Sequence, residues 1–213
     1  MSLEKPDFNG AKEYVFQSLE SMLPANLYYH NFDHTKEVLE GTTHISGIEG
    51  ITKEDMLLVK TAALFHDIGF IYNYHDNEKI AVQEIRKVLP LYFYSEPKIE
   101  RTGEIIMATK MKYNGESFVQ MAGNDLLQKI LCDGDLLYLG TDKFFETSEN
   151  LRRERESQGQ GPISEEEWAK GNLLFLKNHK YLTKAGKLLG DEGKEKNMHI
   201  LEERLNASRH NFF

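Results

Sequence analysis

The sequence predicts an all-α protein, and three observations carry that prediction. Apolar residues recur at helical rather than alternating spacing almost throughout. No internal repeat of solenoid type is visible. The 213 residues suffice to bury one substantial core, so a compact multi-helix bundle is expected.

A first helix is expected over residues 11–22, stopping before Pro24, and a second from just after Asn31 to about Ile48, closed by Gly47 and Gly50. Thr52 followed by Asp55 resembles a capping box, and residues 56–65 are apolar on nearly every side, which makes that helix central and buried. Further helices are expected over residues 78–89, ended by Pro90, and over residues 98–109. Gly123 and Asn124 cap a helix that reaches Leu139 and stops at Gly140.

After the charged run at residues 152–156, Ser157-Gln158-Gly159-Gln160-Gly161-Pro162 is the best candidate for a mobile break, read as a surface loop rather than a domain boundary. Ser164 then begins a helix containing Trp168, Leu173, Leu174 and Leu176, and one or two shorter helices finish the chain. The organisation expected is one domain over residues 1–213, with a core at about 28–140 and a C-terminal helical extension, 141–213, packing back on it.

A formal charge of −8 and a pI near 5.5 argue against a standing nucleic-acid binder, which needs clustered Lys and Arg. An acidic enzyme still binds phosphates if a cation supplies local positive charge. The single cysteine, Cys132, excludes an internal disulfide, suits a reducing compartment and lies in an apolar run that reads as core. Neither the opening Met1-Ser2-Leu3-Glu4-Lys5-Pro6 nor any later stretch has the apolar length of a signal peptide or membrane span, so no membrane partner and a cytoplasmic location are expected.

Ionisable residues that interrupt buried rows carry the chemistry, because a carboxylate in an apolar setting needs a compensating charge or hydrogen bonds. His66 and Asp67 follow Val59, Ala62 and Ala63 up the face of the central helix, just before Gly69. Adjacent residues diverge by about 100° on a helix, yet at a helix end both can turn to one ion. Asp135 stands at i+4 spacing in the row Leu127, Leu131, Asp135, Leu139, whereas Asp133 shares its row with Asp125 and Lys129 and reads as a neighbour or a solvated residue. His34 heads a row with Val38, Gly41 and Ile45. Two imidazoles and two carboxylates make a mixed nitrogen and oxygen site suited to one divalent ion, Mn, Fe, Ni, Co or Mg, with positions left for water and substrate. A closed thiolate site is excluded by the single cysteine.

The stretches Tyr29-His30-Asn31-Phe32-Asp33-His34-Thr35, Ala63-Leu64-Phe65-His66-Asp67-Ile68-Gly69-Phe70 and Leu131-Cys132-Asp133-Gly134-Asp135-Leu136-Leu137 resemble the HD-domain metal-dependent phosphohydrolases. They supply that family's His, His-Asp doublet and final Asp in order. The resemblance covers about residues 28–140 and continues more loosely over 175–183. Branches with two metals place two further histidines between the doublet and the last aspartate, where this chain has only His75, and the cyclic dinucleotide branch has Lys at Phe70. The resemblance thus implies one tightly held metal, with a second ion only if substrate phosphate helps bind it.

It also implies hydrolysis of a small phosphate ester, with a nucleotide as the leading substrate class. In that scheme Asp67 ligates the metal and orients or deprotonates water, Lys110 and Lys112 grip phosphate, and His75 and Glu78 line the mouth and supply a proton. Each of these also has a plain structural reading: His75 as a loop residue, Glu78 with Asn77 as a helix start, and the lysines as solvated helix-end charges. His179 reads as a cap, and His30, His44, His199 and His210 carry no signal. Two competing functions are a nucleotide-sensing regulatory module with little turnover, and oxygen activation by paired irons, which the shortage of histidines disfavours. The oligomeric state is not encoded in any pattern visible here.

Overall fold

The computed structural model describes residues 5–210, so the opening Met1–Glu4 stretch read above lies outside the described residues, as does the side chain of His210. The architecture is all-α apart from one small hairpin. Helix α1 (Phe8–Met22) begins three residues earlier than its apolar spacing suggested, because the Asp7 carboxylate accepts from the Gly10 amide and caps it. Helix α2 (Phe32–Glu49) is capped by Asn31, whose side chain accepts from His34, and ends at Gly50 in the left-handed region. Helix α3 (Lys53–Phe65) starts on Thr52 as expected, and Leu58, Val59, Ala62, Ala63, Leu64 and Phe65 are all buried around it.

A single 3-10 turn (Ile68–Ile71) follows, then α4 (Asn77–Val88), a second 3-10 turn carrying Pro90 (Leu89–Tyr92), and α5 (Glu96–Met107). Strands β1 (Met111–Tyr113) and β2 (Phe118–Gln120) pair antiparallel, with Met111 opposite Gln120, between two expected helices where no strand was expected. The next helix differs from expectation at both ends. Its cap is Asp125, not Gly123 or Asn124, because the Asp125 carboxylate accepts from Gln128, so α6 runs Leu126–Asp135. The chain then tightens into a 3-10 turn (Leu137–Gly140) instead of continuing as one helix.

Beyond it, α7 (Phe144–Arg155) runs into one wider helical turn (Glu156–Gln160), whose residues are not buried, in keeping with the surface loop expected there. Helix α8 (Glu165–Asn178) opens on a capping box between Ser164 and Glu167 and closes at His179. The final element is one long helix, α9 (Lys184–His210), where one or two short ones were expected. No described helix is long and apolar enough to cross a membrane.

The main core gathers Val15, Val38, Ile45, Val59, Phe65, Ile85, Ile106 and Leu131 around α3. A second cluster joins the end of α6 to the extension through Leu136, Leu139, Phe144, Leu176 and Leu201. Two close approaches position the site. A Cβ on Gly134 would meet Thr42 Oγ1 at 2.2 Å, so only glycine lets α6 lie this close to α2. A Cβ on Gly193 would meet the Gly140 carbonyl oxygen at 1.8 Å, which seats α9 on the turn after α6.

Candidate metal centre

Three elements deliver the four predicted ligand side chains to one place. His34 lies in the first turn of α2, His66 closes α3, and Asp67 follows it in the bridge region of backbone space (φ −109°, ψ 4°). Leaving helical geometry at Asp67 is how two adjacent residues converge: His66 Nε2 and Asp67 Oδ2 stand 3.1 Å apart. Asp135, the last residue of α6, brings Oδ1 to 3.2 Å from His34 Nε2 and 3.7 Å from His66 Nε2. His34 Nε2 is 3.4 Å from Asp67 Oδ2. One ligand atom from each of His34, His66 and Asp67 lies within 4.8 Å of the others.

The surroundings orient each group. His66 Nδ1 donates to the Ala63 carbonyl at 2.8 Å, which in the neutral ring leaves Nε2 with a lone pair turned to the centre. Asn77 donates to Asp67 Oδ1 at 3.2 Å, and Gln120 on β2 donates to Asp135 Oδ2 at 2.6 Å, so each carboxylate has one oxygen tied and one facing inward. Among the described residues His34 Nε2, His66 Nε2 and Asp67 Oδ2 are buried atoms without a hydrogen-bond partner. Such atoms are rare in folded proteins, and three converging on one point fit a cation that coordinates them.

The electrostatics agree. Burial alone would depress the His34 imidazole, but Asp135 and Asp67 outweigh it and raise it to about 9. Burial would raise Asp135, and the two histidines overcome that and hold it at about 2. Asp67 is likewise held well below the usual carboxylate range against the effect of burial. Both carboxylates therefore stay ionised, held so by positive charge at the centre that either imidazole protons or a cation can supply.

The remaining candidates lie further out. His75 is exposed in the loop before α4, its amide donating to Asn73, and it touches none of the four. Lys110 pairs with Asp76 on that loop, Nζ to Oδ1 2.7 Å. Glu78 is half-buried, which raises its carboxyl, and lies within electrostatic range of both Lys110 and Asp67. Lys112 is exposed on β1. Phe70 is buried and stacks on His30, ring centroids 4.1 Å apart. Cys132 is buried and unpaired, as its apolar run indicated.

Asp133 departs from expectation. It is not solvated but buried, accepting from the Leu182 and Thr183 amides at 2.8 Å and from Thr183 Oγ1 at 2.6 Å, so it holds the start of α9. Sequence reasoning also passed over Asn77, Gln120, His30 and Glu154, all of which surround the centre. For Glu154 a signal exists: Phe144, Ser148, Leu151 and Glu154 share one face of α7 at three- and four-residue spacing.

The HD domain family matches residues 31–138, just over half of the chain, and that span contains all four converging side chains. No curated protein and no solved structure matches the chain. With its His, its His-Asp doublet and its closing Asp gathered around one buried point inside the matched region, the chain belongs to the HD domain family, a superfamily of metal-dependent hydrolases.

Proposed function

We propose that the protein is a phosphohydrolase that uses one divalent cation, held by His34, His66, Asp67 and Asp135, to hydrolyse a small phosphate ester, with nucleotides as the leading class. The observation that carries this reading is the trio of buried, unpartnered ligand atoms on His34, His66 and Asp67. A cation bound there supplies Lewis-acid charge for phosphoryl oxygens and lowers the pKa of water. Asp67, tied on one oxygen by Asn77, orients the attacking water and accepts its proton. Lys110, paired with Asp76, is the cation proposed to meet a substrate phosphate by exchanging that partner for the incoming anion, and the exposed His75 is proposed to serve beside it. Because the surface is acidic overall, affinity for phosphate rests on the cation and these few basic groups.

Metal-replete protein is incubated with nucleoside mono-, di- and triphosphates, cyclic nucleotides and a chromogenic phosphate ester, with Asp135→Ala as the blank. Release of phosphate or nucleoside that disappears in the blank and in His66→Ala is the expected result. Full activity in His66→Ala with metal retained would sink the reading. Tight nucleotide binding without turnover would assign the chain to the sensing class instead.

A further inference from the structure

The β1–β2 hairpin carries two aromatic rings that belong to neither apolar cluster of the fold. Tyr113 and Phe118 oppose each other across the strands, and each is 56% exposed. Their ring centroids lie 5.5 Å apart with the planes tilted by 55°. Exposed aromatic surface gathered in one place marks a site that something covers. A hairpin of two short strands is marginal by itself, yet this one is fixed at both ends. The Tyr113 hydroxyl donates to the Gly115 carbonyl at 2.8 Å and the Asn114 amide to the Ser117 carbonyl at 3.0 Å, while the Met121 amide donates to the Ala108 carbonyl at 2.8 Å.

Strand periodicity fixes the face on which the rings stand. Side chains two residues apart on a strand share a face, and directly opposed partners share it too. Met111 opposes Gln120 and Tyr113 opposes Phe118, so these four lie on one face, with Lys112 and Val119 on the other. Gln120 gives that face its direction, because its side-chain amide donates to Asp135 Oδ2 at 2.6 Å. Phe118 and Tyr113 therefore continue a surface that begins at a ligand of the centre, two residues or about 7 Å further along the hairpin. Lys110, just before β1, pairs with Asp76, next to Asn77, whose side chain donates to Asp67. The inner end of the hairpin is thus linked to Asp135 directly and to Asp67 through these three residues. Other exposed rings are placed differently: the Tyr72 hydroxyl donates to Glu84 of α4 at 3.2 Å, and Phe93 closes the 3-10 turn after that helix.

We propose that Tyr113 and Phe118 are specificity-determining residues, a platform on which the base of a nucleoside phosphate stacks while its phosphate lies at the centre. This rests on the reading above that the centre takes a phosphate ester, and it singles out the nucleotide class within that reading. Phosphate and base are separated by one sugar ring, a span of the order of the two strand residues between Gln120 and Phe118. Two tilted rings offer a base one face to stack on and one edge to abut. Every base has such a face, so the platform separates nucleotides from bare sugar phosphates without reading which base is present. On an acidic protein it also supplies affinity that does not depend on charge.

The test separates base recognition from hydrolysis. The metal-loaded full chain is titrated with 2-aminopurine riboside 5′-monophosphate, whose fluorescence is quenched when its base stacks. The bound probe is then displaced with adenosine 5′-monophosphate or with ribose 5-phosphate, which has the same sugar and phosphate but no base. Wild type, Tyr113→Ala, Phe118→Ala and Phe118→Trp are compared, with metal per chain measured in each and phosphate release from both displacing esters and from p-nitrophenyl phosphate followed alongside. The wild type is expected to quench the probe and to bind the nucleotide about 5- to 100-fold more tightly than ribose 5-phosphate. Each alanine variant is expected to keep its metal and lose most of the quenching and of that preference, and Phe118→Trp to retain both. The ratio of the two affinities is insensitive to partial unfolding, and a slackened Gln120 would weaken both ligands alike. Equal losses on the two ligands, or a wild type that binds them equally, overturn the platform, and hydrolysis of the p-nitrophenyl ester would leave the phosphohydrolase reading standing. Quenching and preference that vanish in the alanine variants, with no ester hydrolysed by the wild type, uphold the platform and overturn hydrolysis in favour of sensing. A wild type that neither binds nor hydrolyses any of these esters overturns both.

Discussion

His34 and Asp135 face each other across the centre with their ionisation pulled in opposite directions, and that opposition makes pH a probe of the site. The His34 imidazole rises from an ordinary 6.5 to about 9, so without metal its contribution to stability is complete below 6.5 and is lost as pH climbs through 9. Asp135 falls from 3.8 to about 2, so its contribution is present above 3.8 and is lost on acidification through 2. Cation binding has the reverse dependence on the alkaline side, because it must displace the imidazole protons. The rise in melting temperature on adding Mn or Mg should therefore grow between about pH 6 and about pH 8.5. A rise that is flat or shrinks over that range would show that no imidazole proton is displaced. Removing the Gln120 amide that holds Asp135, as Gln120→Ala, should weaken metal affinity by about 10- to 100-fold in a titration, with the fold retained. The four facing residues were legible in the sequence because each interrupts an apolar row. Glu154 was passed over despite its row with Phe144, Ser148 and Leu151, because it stands in the run Arg152-Arg153-Glu154-Arg155-Glu156, where charge looks solvated. His30 gave no signal at all, since its partner is that distant carboxylate.

Helix α6 serves two directions at once. Asp135 faces the centre, while Asp133 holds the amides of Leu182 and Thr183 at the start of α9. Between them Gly134 lies against Thr42 of α2, where a Cβ would come within 2.2 Å of the hydroxyl oxygen. Gly134→Ala should push α6 away from α2, cost about 1–3 kcal/mol in denaturant unfolding, and lower metal affinity as well, since His34 and Asp135 sit on the two helices being separated. A stability loss with unchanged metal affinity would show that the centre tolerates the shift. At this scale the helices were legible from spacing and caps, and the misses have local causes. The β1–β2 hairpin is too short for alternation to register, although Asn114-Gly115 is a hairpin signal, and the Asn114 side chain accepts from the Glu116 and Ser117 amides in the turn. One or two short helices were expected at the end of the chain, yet α9 is continuous through Gly190 and Gly193, which fit against Tyr181 and Gly140.

Over the whole molecule, the apolar cluster of Leu136, Leu139, Phe144, Leu176 and Leu201 ties the extension to the region that carries the ligands. The two should therefore unfold together. The chain's one tryptophan, Trp168, lies in α8 and reports on the extension, whereas helical circular dichroism reports on the whole. The two signals are expected to coincide in a single transition, lowered by about 2–4 kcal/mol in Leu201→Ala. A separate, earlier tryptophan transition would show the extension to be an independent unit. The sequence indicated that residues 141–213 pack back on the core but not that they reach the centre, because contacts this remote along the chain leave no periodic trace. Glu154 accepts from the Tyr29 amide 125 positions earlier but follows Asp135 by only 19, and that shorter interval sets a schedule during synthesis. At about 5–20 residues per second, Asp135 leaves the ribosome roughly one to four seconds before the carboxylate that pairs with His30. For that interval a nascent chain carries all four converging side chains but not the carboxylate that accepts from the Tyr29 and His30 amides.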